Sequence, residues 1–425
     1  MITLLVRQQM MGVRAILPEW VRVMPLPFDP RQHVGGRQNE IAEKLRAFAG
    51  ECRADLAVVA EYNRTWASEI VATLSGAARV MAFNGPTGLN LDHRDIVAGA
   101  VGDGSQANWQ LVGAVSEERE STKYAKFLSA LGLDAIVPEI VIRDEDRQRA
   151  RTVWQETGAT PEQAIVCFPG SGEQLVRSLD PQTWAKWIAH LNARRPLVLL
   201  GGTADSPVLD AIAACGLPEN VRRILIPNED TGLLAAVLEK AGAYVGMDTG
   251  PMHVAAVLGP PTLGIFGGGH CAERFLPVGR RAAAIRMPLG CYGCEWNCPF
   301  DSRLCIKNIP LAKLIETGDA FLDGLENADP FSPRVFEIET PADLPAAVLG
   351  PVMRQHHWFC KLNHENNEHH AYLADVLARM TEANNQRDRQ IRELNDALAD
   401  AGLGNQTTIA TIRRHLSKAG KRLWK

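Results

Sequence analysis

Over roughly its first 320 residues the chain alternates short apolar runs with helix-length amphipathic stretches. That rhythm restricts it to βαβ units and parallel sheets, because a parallel strand pair needs a long crossover that a helix supplies. Strands are expected at Ile2 to Val6, Leu56 to Ala60, Ala164 to Phe168, Pro196 to Leu200, Ala243 to Val245 and Thr262 to Phe266. Helices are expected near Ile41 to Gly50, Trp66 to Leu74 and from Pro181. The pattern predicts two doubly wound α/β domains, residues 1–145 and 146–325, joined through the charged stretch Arg143 to Gln155, with a ligand where strand carboxyl ends meet.

Composition narrows the function. With 46% apolar and 22% charged residues and a net charge of −4, the chain can build ordinary cores and is not a basic nucleic-acid wrapper. Arg7, Gln8, Gln9, Arg14 and Pro18 interrupt the apolar start, and no apolar run of spanning length occurs beyond it, so neither a signal peptide nor a spanning helix is expected. Nine cysteines, five of them scattered singly, speak against a secreted disulfide framework and for the cytoplasm.

Residues 326–425 read as a helical tail. Leu373, Leu377, Met380, Asn384, Arg387, Ile391, Leu394, Leu398 and Ala401 keep the 4-3-4-3 spacing of a coiled-coil seam, which would make homo-oligomers; one solvated helix is the other reading. From Asn405 onward there is no acid, while Arg413, Arg414, Lys418, Lys421, Arg422 and Lys425 alternate with Ile412, Leu416, Leu423 and Trp424. Such a segment lies on an anionic membrane surface or stays a solvated basic tail.

Three motifs carry chemistry. In Val245-Gly-Met-Asp-Thr-Gly-Pro-Met-His253, a strand ends, Asp248 or Thr249 caps, Pro251 occupies an early helical position, and Gly259-Pro260 stops the helix. A helix N-terminus at a strand end suits a diphosphate, with Gly250 admitting the ligand and Asp248, Thr249 and His253 adding polar groups. The alternative is a plain capped helix with a satisfied His253. Phe168-Pro-Gly-Ser-Gly172 is a second glycine turn, whose Gly170, Ser171 and Gly172 would face the same phosphates with Arg177 as charge partner; Gly201-Gly202 and Gly267-Gly268-Gly269 mark two more. Phe266 and Trp184 beside these turns read as core. Finally Cys291, Cys294, Cys298 and Cys305 place four thiols within 15 residues, a spacing that suits one structural zinc or iron held by thiolates, against free thiols.

Together these stretches resemble glycosyltransferase family 9, the ADP-heptose:lipopolysaccharide heptosyltransferases. The likeness rests on Pro169-Gly-Ser-Gly172, Arg177 with Asp180-Pro-Gln-Thr-Trp184, Gly246 to His253 with Ala255-Ala256, and Pro261 to Gly267. Ala54 to Val58 and Leu74 to Arg79 are similar to the family's acceptor-side segments, and the cysteine cluster resembles one in relatives that glycosylate bacterial surface proteins and hold iron there. The resemblance implies the GT-B fold, no catalytic metal, and inverting transfer of a heptose from ADP-heptose to a glycan, lipid or protein acceptor. It implies that Asp248, Thr249, Gly250 and His253 hold the donor's diphosphate and sugar, with Ser171 and Gly172 near the phosphates. Arg177 falls where the family usually has a lysine.

Two departures accompany the likeness. Leu179-Asp180 stands in place of a tryptophan-proline pair, and Ile2 to Asp29 resembles the family's second strand and the segment after it, so the opening strand and its general-base aspartate have no counterpart here. Glu61, Asp92, His93 and Asp95 lie in the first domain, and nothing nominates one of them as the base. A donor-binding or scaffolding protein is therefore the alternative expectation to an enzyme, and an enzyme read from a shortened start is another.

Overall fold

A computed structural model describes residues 2–30, 37–85, 108–171, 177–270, 272–289, 292, 296, 298, 303–340 and 393. The chain divides into two units, Met1–Asn366 and Asn367–Lys425. Of the second only Glu393, which is helical, is described, so the expected coiled-coil seam and basic segment lie outside the described residues.

In the first unit the larger sheet has the strand order β12-β11-β10-β9-β6-β7-β8, every pairing parallel. Its strands are β6 (Ile165–Phe168), β7 (Leu197–Gly202), β8 (Arg222–Ile226), β9 (Ala243–Met247), β10 (Thr262–Phe266), β11 (Ala282–Arg286) and β12 (Arg334–Glu337). The chain winds outward through β7 and β8, returns to lay β9 on the other flank of β6, and winds outward again. That reversal between β6 and β9 is a topological switch point, where the crevice of an open α/β sheet forms.

Period-two patterning buries both faces of this sheet. Ile165, Cys167, Val245, Met247 and Ile265 join one core with Trp184, Trp187, Leu191, Leu314 and Phe321, from the helices α5 (Pro181–Arg194) and α10 (Leu311–Leu322). Ala164, Val166, Phe168, Tyr244 and Phe266 face a second core with Trp154, Leu233 and Val237. These come from α4 (Asp144–Thr157) and α7 (Thr231–Glu239). Phe266 and Trp184 are core residues, as their sequence setting suggests. The Trp184 indole N–H donates to Ser178 Oγ at 2.8 Å, and that hydroxyl donates to the Pro169 carbonyl, also at 2.8 Å, so the tryptophan pins the glycine turn after β6.

The charged stretch expected as a joiner is a helix. Along α4 the buried side chains are Asp146, Ala150 and Trp154, one every fourth residue, which is a single narrow stripe on an otherwise polar rod. It packs on α7, and Arg147 grips Glu239 there at 2.9 Å.

The smaller sheets are also parallel. β1 (Ile2–Val6) pairs with β2 (Val21–Pro25), and β4 (Arg79–Phe83) pairs on either side with β3 (Leu56–Val59) and β5 (Asn108–Val112). Helices α1 (Gln38–Glu51) and α2 (Trp66–Leu74) pack together through Ile41, Leu45, Trp66 and Ile70. α3 (Glu120–Ala130) carries Lys123, whose buried ammonium donates to Ser116 O and Glu120 Oε1, both at 2.9 Å, under the Tyr62 ring. Burial lowers the Lys123 pKa, and the hydrogen bond to Glu120 opposes that. Arg274 Nε also donates to Glu120 Oε1, at 2.7 Å, and so links α3 to the segment after β10.

Candidate functional site

The carboxyl ends of β6 to β10 open into a cavity of about 660 Å³. Phe168 and Ser171 reach it from β6, Gly201, Gly202 and Asp205 from β7, Ile226 and Asn228 from β8, Met247 to Pro251 from β9, and Ile265 and Gly267 from β10. A further wall is a 3₁₀ segment between β1 and β2, Gln8–Ile16, which contributes Gln9, Met10, Gly12, Val13 and Ile16.

Small residues set the position of that wall. A Cβ on Gly12 would collide with the Glu229 carbonyl and stand 2.7 Å from Thr231 Oγ1, and one on Gly232 would run into Asp146. The segment therefore lies directly on the start of α7. Arg143, at the head of α4, holds its far end by donating to the carbonyls of Ala15 at 2.6 Å and Arg14 at 3.3 Å. Asp230 caps α7 through Leu233 N–H at 3.2 Å and pairs with Arg149, so this acid at the cavity edge is already neutralised.

The predicted short helix is α8, Gly250–Leu258, ended by Gly259 in the left-handed region at φ 104°. Its start differs from the sequence expectation in two ways. Neither Asp248 nor Thr249 caps it with a side chain: Thr249 occupies the cap position but its hydroxyl donates to the Met247 carbonyl at 3.3 Å. The supply of free amides is also smaller than expected. Pro251 has no N–H, and the amides of Met252 and His253 turn back onto the Thr249 carbonyl at 3.0 and 3.4 Å. Gly250 is left as the helix amide without an intrahelical acceptor, and a Cβ there would meet nothing within 4 Å. His253 Nε2 stands 3.5 Å from Asp248 Oδ1, with the imidazole side chain 40% exposed.

Ser171 lines the cavity; Gly172 lies outside the described residues. Gly170 serves a structural purpose: a Cβ would stand 2.6 Å from Asp205 Oδ2 and closer still to the rest of that carboxylate, which itself accepts the Gly202 amide at 2.9 Å. Asp205 thus ties the turn after β6 to the turn after β7. Arg177 also lines the cavity, with its guanidinium 4.7 Å from the Trp296 ring centre. Burial lowers its pKa, Asp248 pulls the other way, and Arg303 reinforces the lowering. An arginine remains charged under such perturbation at neutral pH. Among the described residues neither Arg177 nor Arg303 makes an ion pair, and the Nε of each is buried without a hydrogen-bond acceptor.

Of the cysteine quartet, Cys291 and Cys294 lie outside the described residues. Cys305 is buried and its sulfur accepts the Gly268 amide at 3.2 Å; Cys298 is partly buried. Among the described residues no group of three or more His, Cys, Asp or Glu side chains converges. Asp92, His93 and Asp95 also fall outside them, and Glu61, which accepts from Ser68 Oγ at 3.2 Å, does not line the cavity. Sequence reasoning did not single out Asp205, Asn228, the Gln8–Ile16 wall or Trp296.

A parallel sheet with this switch point, glycine turns at β6 and β9 and the Asp248-Thr-Gly-Pro-Met-His253 helix start coincides with the match of residues 113–301 to the family model for glycosyltransferase family 9 (heptosyltransferase). Those residues carry the chain's likeness to glycosyltransferase family 9. It is 23% identical over 151 residues to a lipooligosaccharide heptosyltransferase 2 of Campylobacter jejuni, a stretch covering 35% of this chain and 47% of that protein. The chain thus spans about half the length of the curated relatives it matches. The solved Escherichia coli ADP-heptose lps heptosyltransferase II superposes with a TM-score of 0.51 at 16% identity, over 76% of this chain and 89% of that one. A glycosyl transferase family 9 structure from Veillonella parvula gives 0.56 at 14% identity, over 75% and 88%. Both likenesses place the chain in the two-domain α/β architecture of the GT-B fold.

Proposed function

We propose that this chain is a family 9 inverting glycosyltransferase that moves a heptose or related sugar from ADP-heptose, or a similar nucleotide sugar, to a cell-surface glycan, lipid or protein acceptor. The observation that carries the reading is the cavity at the switch point, where the open Gly250 helix start, Ser171 and Arg177, without an ion pair among the described residues, meet. In the reaction an acceptor hydroxyl oxygen attacks the anomeric carbon, the bond to the diphosphate breaks, and the electron pair leaves with the phosphate oxygen. Arg177 and the Gly250 amide are suited to receive that growing charge, in a cavity where fixed donors need no reorganisation. The apolar Met10, Val13, Ile226 and Leu234 are suited to the nucleoside, and the cavity as a whole to orienting the sugar.

The hydroxyl proton must pass to a base. Among the described residues that the first 140 positions contribute to the cavity, Gln9, Met10, Gly12, Val13 and Ile16, there is no carboxylate or imidazole. That observation favours, as a second reading, a nucleotide-sugar-binding protein without turnover. The two readings share a donor site and part at the chemistry: release of ADP from ADP-heptose in the presence of a glycan acceptor supports the enzyme, and tight binding without release supports the second.

We also propose that Cys291, Cys294, Cys298 and Cys305 hold one structural zinc or iron. Support comes from their spacing and from the amide donated to Cys305 sulfur, the kind of bond that steadies a thiolate ligand. The tail is proposed to assemble copies through its heptad seam and to rest on a membrane's cytoplasmic face.

A further inference from the structure

We infer that the cysteine-bearing segment is part of the donor site itself, because its Trp296 is a positioning residue that holds the Arg177 guanidinium flat for a diphosphate. This rests on the donor reading above and adds to it a residue and a mechanism.

Trp296 has the marks of a side chain placed for a purpose. It lines the cavity, and it adopts φ 67°, the one left-handed non-glycine backbone among the described residues. Such a conformation persists for an indole side chain only where its surroundings impose it. Those surroundings are the glycine run after β10. A Cβ on Gly269 would overlap the indole's fused bond and nitrogen, and a Cβ on Gly267 would stand 2.7 Å from its outer edge. Gly268 carries the neighbouring Tyr292 ring in the same way, and its amide is bound to Cys305 sulfur. Three glycines thus make a shelf on which the cysteine segment lays two aromatic rings. His270 adds an edge-to-face contact at 6.5 Å.

The upper face of that indole meets Arg177 at 4.7 Å. An aromatic face attracts a guanidinium without using its N–H groups, so stacking fixes the plane while the in-plane donors stay available for a bidentate oxyanion. A carboxylate partner would have consumed them, and among the described residues Arg177 has none. Arg303, from the end of the same segment, adds a second cation to the field acting on Arg177. Arg177 thus feels Arg303 as well as the Asp248 carboxylate, and a diphosphate offers its in-plane donors two phosphate groups where a monophosphate offers one.

Calorimetric titration of the full chain with ADP, AMP and adenosine tests this. Trp296→Ala is expected to weaken ADP about fivefold to tenfold, to leave adenosine unchanged, and to add nothing further in an Arg177→Gln background. Trp296→Phe, which keeps an aromatic face, is expected to restore most of the ADP affinity and to abolish the ADP-induced change in tryptophan fluorescence. Equal losses for ADP and adenosine, additive losses with Arg177→Gln, or unaltered ADP binding in Trp296→Ala would overturn the assignment of Trp296. If Trp296→Ala does not fold, the Trp296→Phe fluorescence decides: an ADP response kept in that variant overturns the assignment. A wild-type chain that binds no ADP overturns the donor reading beneath it, whereas ADP binding lost in Asp248→Ala and intact in Trp296→Ala overturns only this inference.

Discussion

Two glycines in equivalent-looking turns are expected to behave oppositely when replaced by alanine. At Gly170 the new Cβ would stand 2.6 Å from Asp205 Oδ2 and nearer to its other carboxylate atoms, against an ordinary contact of 3.4 Å or more. Asp205 is 5% exposed and spends one oxygen on the Gly202 amide at 2.9 Å, so it has little room to retreat. Overpacking of this kind costs about 1–3 kcal/mol, and weakening the charged hydrogen bond to the partly buried Gly202 amide adds about 1–2 kcal/mol. Gly170→Ala is therefore expected to lose about 2–5 kcal/mol. At Gly250 nothing lies within 4 Å of the position a methyl would take and φ is not in the left-handed region, so Gly250→Ala should keep stability within about 0.5 kcal/mol. Its methyl would instead intrude on the space before the helix amide and weaken diphosphate binding. Urea unfolding monitored by tryptophan fluorescence measures the first effect, with an unchanged slope showing that the unfolded states match. A Gly170→Ala midpoint equal to wild type would refute the Asp205 tie between the two turns, and a Gly250→Ala variant as unstable as Gly170→Ala would refute the open helix start.

Other side chains give equally definite outcomes. Lys123→Met removes a buried cation while leaving Glu120 to Arg274 alone, so it should destabilise by about 2–3 kcal/mol in the same urea assay. The hydrogen bond from Arg147 holds the Glu239 carboxylate below its usual 4.5. Its contribution is thus present above pH 4.5 and lost as pH falls through the lower folded-state value. Glu239→Gln should cost about 0.5 kcal/mol at neutral pH and progressively less as pH falls below 4.5, read as the difference between two stability–pH curves. Metal analysis of chain purified without chelator should find about one zinc or iron per chain, lost in Cys294→Ser with Cys298→Ser; a metal-free wild type of equal stability would discard the clip.

Much of the architecture was legible because buried parallel strands are written as unbroken apolar runs. Thr262 to Phe266 and Ile2 to Val6 coincide with their predicted limits, and Ala243 to Val245 runs only two residues longer. Helix α4 escaped because one buried residue in four leaves Asp144–Thr157 reading as solvated charge until α7 is there to cover Ala150 and Trp154. The helix start at Gly250 was visible through its proline and glycines, yet the same Pro251 that marks a first turn also removes one of the amides a site needs. Trp296 had a signal in the chain that pointed elsewhere at first sight. Three consecutive glycines ending a strand mean that something large approaches the backbone there, and the aromatic residues lie 23 to 29 positions on, inside a motif dominated by its cysteines. Contacts at that separation depend on the tertiary fold, which local periodicity does not encode.

The central claim is that the opening between β6 and β9 takes a nucleoside diphosphate by its phosphates, and a single calorimetric comparison addresses it. The full chain is predicted to bind ADP at least about tenfold more tightly than AMP, and this preference should disappear in Arg177→Gln and shrink in Gly250→Ala. Equal affinity for ADP, AMP and adenosine, or a preference that survives in both variants, would contradict it.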